Sequence, residues 1–398
     1  MVEKNQNKKR ILIFSTTYHP FVGGAEIAIK EITDRIDDID FDMVTLRFDN
    51  RLPKFERVGN INIYRIGFTT DSPTMSDLVK FPLKINKLLF PFLAWWKATD
   101  LHAEKQYDGI WAMMAAFAGF GAVFFKFTHP KVPYLLTLQE GDPIKQIKKK
   151  VHFVYPLFKK IFTKADMIQV ISNYLGDWAK DMGGKNVVVV PNGVDLEEFR
   201  SENLEFRKKI SDKIVLIHTG RLVEKNAIDD VIKSLNYLPK NIEFLQVGSG
   251  PDEEKLKNLV KDLGVENRVK FVEFVPQEEL LNYLKNSDIF IRPSLSEGFG
   301  NSFVEAMIVG LPVIATQEGG IADFLFDAKR NLDKETTGWA VDTKNPKQIA
   351  EAVKDILDNP EKTNQVIETA KKMVIEKYDW DLLVEDMRQK VFKNFLTN

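Results

Sequence analysis

The chain contains no cysteine. This absence excludes a disulfide framework, a zinc site built on thiolates and a cysteine nucleophile. It also fits a reducing compartment, and we expect a cytoplasmic protein. Histidine is scarce as well, and no metal-ligand spacing connects the five residues, which are His19, His102, His129, His152 and His218. A metal site built on histidines is therefore not expected.

An excess of charge of one sign is also lacking. The 56 lysines and arginines are balanced by 57 aspartates and glutamates, which leaves a formal net charge of −1 at pH 7. A chain with this balance has no global bias toward nucleic acid, and we expect no nucleic-acid partner.

Long hydrophobic runs are scarce. The segment Met1–Arg10 is polar and basic and lacks the apolar region of a signal peptide. The most apolar stretch, Ile110–Phe127, is interrupted by Gly119 and Gly121. A strand followed by a buried helix accounts for this stretch, and a short membrane span is the alternative.

The 398 residues are too many for one compact core, so two domains are expected. Short β-branched runs alternate with amphipathic stretches, which predicts α/β domains with parallel sheets covered on both faces. The turn signal at Pro191–Gly193 places the junction, giving domains over residues 1–195 and 196–378. The last residues, 379–398, are predicted to form a helix. Ligands of such sheets bind beyond the carboxyl ends of the strands, so we expect the active site in a cleft that the two domains face.

The strands are predicted from apolar, β-branched runs, and Val187–Val190 is predicted to be buried on both faces. Helices are predicted over Glu26–Ile36 and Ala227–Leu238, whereas the apolar segment Thr69–Gln106 is predicted to be irregular. The predicted strands are Ile11–Ser15, Asp42–Leu46, Ile61–Ile66, Gly109–Met113, Tyr134–Leu138, Met167–Ile171, Val187–Val190, Ile214–Thr219, Glu243–Val247, Val269–Phe274, Ile289–Pro293 and Val313–Thr316.

The segment Ser294–Pro312 carries the most chemical information. A glycine-rich loop follows a strand, and Asn301 or Ser302 is predicted to cap a helix that ends at Gly310. Backbone N–H groups and the positive end of the helix dipole at such a start favour an anion or a polarised hydroxyl.

Two glutamates flank this loop. Glu297 precedes it, and Glu305 is predicted in the first helical turn. Their carboxylates can accept hydrogen bonds from hydroxyls of a sugar and a ribose. The alternatives are an exposed loop acid for Glu297 and stabilisation of the helix dipole for Glu305.

Two further segments are candidate phosphate contacts. Arg221 and Lys225 follow a predicted strand, where a bidentate guanidinium and a compact ammonium group can compensate a pyrophosphate. Gly23 and Gly24 precede a predicted helix, where glycines permit close approach of a phosphate to the backbone. Solvated loop cations and an ordinary glycine turn are the alternatives.

A lysine-rich segment lies in the first domain. Lys145–Lys164 contains seven lysines, no acidic residue and the aromatic residues Phe153, Tyr155, Phe158 and Phe162. A solvated helix face is one interpretation. A surface that binds anionic lipid is the other, which would make the protein peripheral on the inner face of the membrane.

These motifs together resemble the family 4 retaining glycosyltransferases of the GT-B fold, two Rossmann-like domains facing across a cleft, over nearly the whole chain. The matching segments are Gly23–Glu26, Val190–Asp195, Gly220–Leu222 with Lys225, Val247–Pro251, Glu297 with Glu305, Gly319–Gly320 and Gly338. The resemblance implies transfer of a hexose-type sugar from a UDP- or GDP-linked donor to a glycan or lipid-linked acceptor, with retention of configuration and without metal or cofactor. It also implies that the C-terminal helix crosses back to the first domain.

The resemblance implies a role for each matching position. Catalytic roles fall to Glu297, Arg221 and Lys225, and Gly23 and Gly24 assist at the donor diphosphate. The residues implied in donor binding are Gly23, Gly24, Arg221, Lys225, Val275, Glu297, Phe299, Gly300, Asn301, Ser302 and Glu305.

The sequence departs from the family pattern in two places. Many relatives carry a histidine after the fifth strand, where this chain has Gln139 and Glu140, which we assign to the acceptor side. A glutamine cannot carry a proton near neutral pH, so a general base at Gln139 is not expected. The usual glycine after the lysine is replaced by Asn226.

Two other classes of function share these features. A sugar-nucleotide epimerase or a phosphorylase of the same fold would also bind the donor, and the epimerase would release nucleotide without an acceptor. A binding module without activity would retain the fold, although intact Glu297, Arg221, Lys225 and Glu305 argue against a decayed site.

Overall fold

The computed structural model describes residues 8–74, 77–197 and 213–397, which form two compact units. The first unit contains the described residues up to Asn192 together with those from Trp380 onward, and the second runs from Gly193 to Asp379. The predicted boundaries, after residues 195 and 378, fall close to these positions. The charged segment Asp195–Lys213, which in the sequence follows the turn signal at this junction, lies mostly outside the described residues.

The first unit is built on an eight-stranded sheet with the order β3-β4-β2-β1-β5-β6-β7-β8. Neighbouring strands are parallel except β3 and β4, which are antiparallel. Its strands are β1 (Lys9–Phe14), β2 (Ile39–Leu46), β3 (Phe55–Val58), β4 (Ile61–Ile66), β5 (Gly109–Met113), β6 (Tyr134–Leu138), β7 (Met167–Val170) and β8 (Val187–Val189).

The helices of the first unit pack against this sheet and close its core. They are Gly24–Asp34, Leu83–Lys105, Ala118–Thr128, Ile144–Lys150, Tyr155–Thr163, Asn173–Asp181, Trp380–Asp386 and Lys393–Thr397, with a π-helical stretch over Met387–Phe392. The C-terminal helical segment contributes to the core of this unit: the ring of Phe392 lies 6.1 Å from that of Phe41 and 5.5 Å from that of Trp111.

Burial follows strand position. Every residue of β5 and β6 is buried, as expected for apolar strands inside a parallel sheet. The prediction that Val187–Val190 is buried on both faces is wrong, because β8 is an edge strand and Val189 is exposed. The prediction of a strand and a buried helix over Ile110–Phe127 is confirmed by β5 and the helix Ala118–Thr128.

The prediction that Thr69–Gln106 is irregular is also wrong. Leu83–Lys105 is a 23-residue helix with Pro91 inside it. A proline removes one helical hydrogen bond, but the side chains of Phe90, Ala94 and Ala98 recur at helical spacing and are buried on the side that faces the unit. Tertiary packing therefore outweighs the local penalty.

The second unit has a six-stranded sheet, parallel throughout, with the order β11-β10-β9-β12-β13-β14. Its strands are β9 (Ile214–Thr219), β10 (Ile242–Val247), β11 (Val269–Val272), β12 (Ile289–Arg292), β13 (Val313–Ala315) and β14 (Trp339–Ala340). Its helices are Ile228–Ser234, Glu253–Asp262, Gln277–Lys285, Asn301–Val309, Pro346–Asp358 and Pro360–Lys377.

The two ends of the second unit lie side by side. The N–H of Val194 donates to the carbonyl oxygen of Tyr378 at 2.8 Å, and Val194 forms a parallel bridge with Asp379. Across the described residues, we find no helix with both the length and the apolar character needed to cross a membrane.

Candidate active site

Two strand-end loops of the second unit are held together by direct hydrogen bonds. The loop after β9 carries Arg221 and Lys225, and the loop after β12 carries Glu297. The N–H of Leu295 donates to the carbonyl oxygen of Lys225 at 2.7 Å. The side chain of Asn226 then donates to the carbonyl oxygen of Arg221 at 2.6 Å. The candidate phosphate contacts and the candidate sugar contact thus belong to one hydrogen-bonded structure.

Glycines allow neighbouring loops to approach to backbone distance. Gly319 has φ +65°, and a Cβ placed on it would overlap the carbonyl oxygen of Glu297, which accepts the N–H of Gly320 at 2.9 Å. Gly248, with φ +123°, lies equally close to the carbonyl of Gly220. Only glycine fits at either position, so the loops after β9, β10, β12 and β13 converge at one edge of the sheet.

Glu297 is buried and paired with Arg292. The Arg292 Nη2 donates to Glu297 Oε2 at 2.6 Å, and Glu297 Oε1 accepts the N–H of Gly298 at 3.2 Å. Only 7% of Glu297 is exposed. The alternative interpretation of Glu297 as an exposed loop acid is therefore wrong.

Arg292 is the residue that sequence reasoning missed. Besides Glu297, its guanidinium donates to Ser302 Oγ at 2.8 Å and to Asn226 Oδ1 at 3.2 Å, and it lies 5.5 Å from the ring centre of Phe303. It connects both loops and the following helix. The available signal was an arginine directly after three apolar residues of β12, where a central parallel strand otherwise has no charge.

A neutral histidine lies beneath this arginine. His218 is fully buried in β9, and burial together with the nearby Arg292 holds its pKa well below the usual range. A Cβ on Gly220 would lie 3.5 Å from His218 Cε1 and 3.4 Å from Arg292 Nη1, which places all three residues together. The neutral ring adds no positive charge to that of Arg292.

The helix after the glutamate loop begins too early for Asn301 or Ser302 to be its N-cap residue. Its N-cap is Gly300, with φ +91°, and Asn301 is the first helical residue. The predicted capping by Asn301 or Ser302 is wrong, because no side chain caps this helix and Ser302 Oγ accepts from Arg292 instead. The predicted end at Gly310 is confirmed.

Glu305 consequently lies beyond the first turn of this helix, and its predicted position in that turn is wrong. The helix dipole acts mainly within the first turn, so it does not account for this carboxylate. Gln277 Nε2 donates to Glu305 Oε1 at 3.3 Å. This contact brings the loop that contains Val275 and Pro276 next to Glu305.

The remaining donor candidates differ in exposure. Arg221 is exposed, Lys225 is half-buried, and Val275 follows β11 in a half-buried position. Phe299 is buried, and its ring lies 5.2 Å from that of Phe324 and 5.4 Å from that of Tyr378. Because the Phe299 side chain faces the core, only its backbone is available for a ligand.

The glycine pair of the first unit forms a helix start. Gly23 is the N-cap and Gly24 the first residue of the helix, and Glu26 Oε2 accepts the N–H of Gly23 at 2.8 Å. Thr17 Oγ1 donates to the other oxygen of Glu26. A Cβ placed on Gly24 would have no neighbour within 4 Å. The backbone at Gly24 is therefore open, whereas the N–H of Gly23 is already used.

Gln139 and Glu140 follow β6 and have distinct partners. Gln139 and Asn192 exchange two amide hydrogen bonds of 3.1 and 3.0 Å. Glu140 is buried and accepts the N–H of Ala115 at 2.6 Å. Burial raises the pKa of Glu140 to about 7. Hydrogen bonds from backbone N–H groups lower this pKa in part, and the bond from Ala115 has the largest such effect.

The predicted site residues therefore divide between the two units. Those from Arg221 to Glu305 belong to the second unit, and Gly23, Gly24, Gln139 and Glu140 to the first. In the part of the chain that the structure describes, no group of three or more histidine, aspartate and glutamate side chains could hold a metal ion.

Both units have the architecture of the GT-B glycosyltransferases, and similar solved structures have that fold. Sucrose-phosphate synthase from Thermosynechococcus elongatus superposes with a TM-score of 0.79 at 19% identity, covering 98% of this chain and 100% of that one. The Anabaena protein HepE, solved with UDP and glucose, has a TM-score of 0.74 at 19% identity, covering 96% and 98%.

Family models then match almost the entire chain in two consecutive parts. The model described as Glycosyltransferase Family 4 matches residues 22–198, and that described as Glycosyl transferases group 1 matches residues 199–373. The chain belongs to the family 4, group 1 glycosyltransferases.

Two curated relatives illustrate the range of similarity. An uncharacterised glycosyltransferase of Methanocaldococcus jannaschii is 24% identical over 411 aligned positions, which cover 98% of this chain and 99% of the relative. The GDP-mannose-dependent alpha-(1-6)-phosphatidylinositol monomannoside mannosyltransferase of Mycolicibacterium smegmatis is 27% identical, covering 56% of this chain and 61% of that protein.

Proposed function

We propose that this glycosyltransferase moves a hexose-type sugar from a UDP- or GDP-linked donor to a glycan or lipid-linked acceptor, with retention of configuration, in the synthesis of cell-surface polysaccharide or glycolipid. The observation that carries the proposal is that hydrogen bonds hold the Arg221–Lys225 loop directly against the Glu297 loop. Relatives that use GDP-mannose or bind UDP support the two donor classes.

Each part of the donor has a matching group in the second unit. Arg221 and Lys225 bind the diphosphate, for which a guanidinium fork and an ammonium group are suited. Glu305 accepts hydrogen bonds from the ribose, and the neighbouring backbone at Val275 meets the base. Glu297 binds the transferred sugar together with backbone N–H groups of the loop and helix start, at Phe299, Gly300, Asn301 and Ser302.

The first unit supplies the remaining contacts. The open backbone at Gly24 assists at the diphosphate, with Gly23 beside it as the N-cap, and the N–H of Gly24 at a helix start is suited to an anion. Gln139 and Glu140 lie on the acceptor side. Because Gln139 cannot exchange a proton near neutral pH, its role is to hydrogen-bond and not to act as a base.

The reaction needs charge stabilisation more than a protein nucleophile. The bond between the anomeric carbon and the diphosphate oxygen breaks, and an acceptor hydroxyl forms a new bond on the same face of the sugar. The acceptor proton passes to the leaving phosphate oxygen. Arg221 and Lys225 stabilise the negative charge that develops on the diphosphate, so neither metal nor cofactor is required.

The test is thermal stability of the protein with UDP, GDP and ADP sugars, compared with Arg221→Ala and Glu305→Ala. We expect one nucleotide series to stabilise the native protein, by about 2.7 kcal/mol at a ligand concentration 100 times Kd. Both substitutions should abolish this effect, whereas Lys354→Ala, at an exposed helix position of the same unit, should retain it.

Two outcomes would contradict the proposal. If no nucleotide series stabilises the native protein, the chain does not bind such donors. If nucleotide is released from the sugar nucleotide at the same rate with and without candidate acceptors, the activity is that of an epimerase and not a transferase.

A further inference from the structure

One helix of the first unit exposes an apolar face to solvent. On Leu83–Lys105, the exposed residues between positions 85 and 96 are all apolar, and they recur at helical spacing on one side. This apolar ridge consists of Ile85, Leu88, Leu89, Phe92 and Trp96. Phe92 is 57% exposed and Trp96 72% exposed. The ridge is about 16 Å long at 1.5 Å per residue.

Neighbouring aromatic residues extend the ridge. Phe81, just before the helix, is 81% exposed. On the adjacent helix Ala118–Thr128, the ring of Phe124 stacks on Phe92 at 5.2 Å, and Phe127 is exposed. Soluble monomers rarely present so many large apolar side chains together, and such patches mark interaction surfaces.

The two chain segments that carry the exposed apolar residues contain lysines and no acidic residue. Between Leu78 and Thr99 the chain has four lysines and no acidic residue. Between Gly109 and Gln139 it again has no acidic residue, and the exposed Lys131 lies four residues after the exposed Phe127. Three of these lysines are paired with carboxylates outside the two segments: Lys80 with Asp77 at 3.1 Å, Lys97 with Asp100 at 2.9 Å and Lys126 with Asp166 at 2.7 Å. The exposed side chains of Lys84 and Lys131, which these ion pairs do not include, leave positive charge beside the apolar residues.

The lysine-rich segment Lys145–Lys164 belongs to the same group of helices. Its helix Tyr155–Thr163 packs against Ala118–Thr128, and the rings of Phe120 and Phe158 lie 6.0 Å apart. Phe158 and Phe162 are buried, so they cannot enter a bilayer as the aromatic composition suggested. Phe153, at 96% exposure, remains available, as do the exposed side chains of Lys148 and Lys149.

We propose that the apolar ridge inserts into the interfacial region of an anionic lipid bilayer while the surrounding lysines bind its headgroups. One face of the helix is committed to the core of the unit, and the other has the apolar and cationic composition of an interfacial helix. Trp96 suits the boundary between headgroups and acyl chains, where its ring is partly wetted.

The proposal rests on the proposed function only for the acceptor, which a membrane-bound enzyme would meet as a lipid-linked molecule. Binding itself does not depend on the donor. In this proposal, the helix Leu83–Lys105 makes the apolar contact with the bilayer. The segment Lys145–Lys164 contributes positive charge, whereas its buried aromatic residues do not reach the lipid.

The experiment is co-sedimentation of the full chain with vesicles of pure phosphatidylcholine and with equimolar phosphatidylcholine and phosphatidylglycerol. The native protein should bind the anionic vesicles and bind the neutral ones far more weakly. The double variant Phe92→Ser/Trp96→Ser should lower the partition coefficient by about ten-fold or more, because two exposed aromatics no longer leave water. A control that removes exposed apolar side chains from the second unit, Leu332→Ser/Ile375→Ser, should bind as the native protein does.

Insertion has a separate readout in tryptophan fluorescence. Brominated lipids should quench part of the native emission, and Trp96→Phe should remove that part while vesicle binding persists. Because Phe92 and Trp96 are exposed, we expect the serine variants to remain folded, and an unchanged unfolding transition of the first unit verifies this.

The results that overturn the proposal are specific. They are no binding of the native protein to anionic vesicles, or binding that Phe92→Ser/Trp96→Ser leaves unchanged. Self-association in sedimentation velocity that this variant abolishes, without vesicle binding, would assign the ridge to a second copy of the chain. Nucleotide stabilisation without vesicle binding refutes only this inference, and vesicle binding without nucleotide stabilisation refutes only the proposed donor function.

Discussion

At the scale of single residues, the buried pair of Arg292 and Glu297 connects the two loops of the candidate donor site. The two side chains are 12% and 10% exposed, and the Nη2–Oε2 distance is 2.6 Å. Removing one partner of such a pair leaves a buried charge uncompensated, which costs about 3–5 kcal/mol. Arg292 also contacts Asn226 and Ser302, so its loss affects both loops at once.

We predict that Arg292→Met lowers transfer activity and nucleotide binding together, and that Arg292→Lys restores part of both. Arg292→Met should also lower the free energy of unfolding of the second unit by about 3 kcal/mol or more. In the double variant Arg292→Met/Glu297→Gln, part of this stability should return because no charge stays unpaired. Full additivity of the two substitutions would contradict a direct coupling.

The contrast between Glu297 and Arg292 shows what sequence could reveal at this scale. Glu297 stands in a glycine-rich loop between a strand and a helix, and this local context predicts its place at a strand end. Arg292 acts through residues that are distant in sequence, such as Asn226, and only the fold brings them together. The one-residue shift of the helix start at Gly300 depended in turn on a positive φ angle that the sequence allowed but did not require.

At the scale of elements, Glu140 connects the ends of two adjacent strands. Its carboxylate follows β6 and accepts the N–H of Ala115 in the segment after β5. That segment contains Met114 and Phe117, both with positive φ angles, so it adopts a conformation that non-glycine residues rarely favour. The hydrogen bond from Ala115 helps to hold it.

The raised pKa of Glu140, about 7 against an ordinary value of 4.5, makes stability depend on pH. Between these values the folded state holds a proton that the unfolded state has released, so this group's stabilisation is present at low pH and is lost as pH rises. We predict that the native protein loses up to about 3 kcal/mol more stability than Glu140→Gln between pH 5 and pH 8.

Unfolding in denaturant at both pH values measures this difference, and Glu104→Gln, at an exposed position of the same unit, is the control for the loss of a carboxylate. Parallel pH profiles for the native protein and Glu140→Gln would show that Glu140 has the same pKa in the folded and unfolded states and would contradict the raised pKa.

Strands were predicted well where they are buried along their whole length. They were predicted poorly where their place at the edge of the sheet determines how much of them is buried. Ile61–Ile66, Tyr134–Leu138 and Ile214–Thr219 have the predicted bounds, because their apolar runs end at polar residues or glycine. The short edge strands β3 and β14 have too few buried residues to stand out. The helix Leu83–Lys105 was hidden by Pro91 and by an apolar exposed face, which removes the amphipathic pattern that identifies a surface helix.

At the scale of the whole molecule, each unit has its own core. Phe392 is buried in the first unit among Phe41 and Trp111, and Phe244 is buried in the core of the second. Stability is therefore divided between two cores, and a substitution in either should act on its own unit.

We predict two calorimetric unfolding transitions with separate responses. Phe392→Ala should lower the stability of the first unit by about 3–5 kcal/mol and leave the second transition in place. Phe244→Ala is the matched control and should do the reverse, and the stabilising nucleotide should raise the second-unit transition more than that of the first unit, because most donor contacts belong to the second unit. A single transition that both substitutions lower equally would show that the two cores unfold as one.

The backbone hydrogen bond between Val194 and Tyr378 has a consequence for how the protein can evolve by recombination. Because the two ends of the second unit emerge side by side, that unit is inserted in the first as a cassette with neighbouring entry and exit points. Under the proposed function, recombination that exchanges residues 193–379 for the same segment of a relative would replace the donor half of the enzyme and preserve the acceptor half. Donor and acceptor preferences could then be inherited separately.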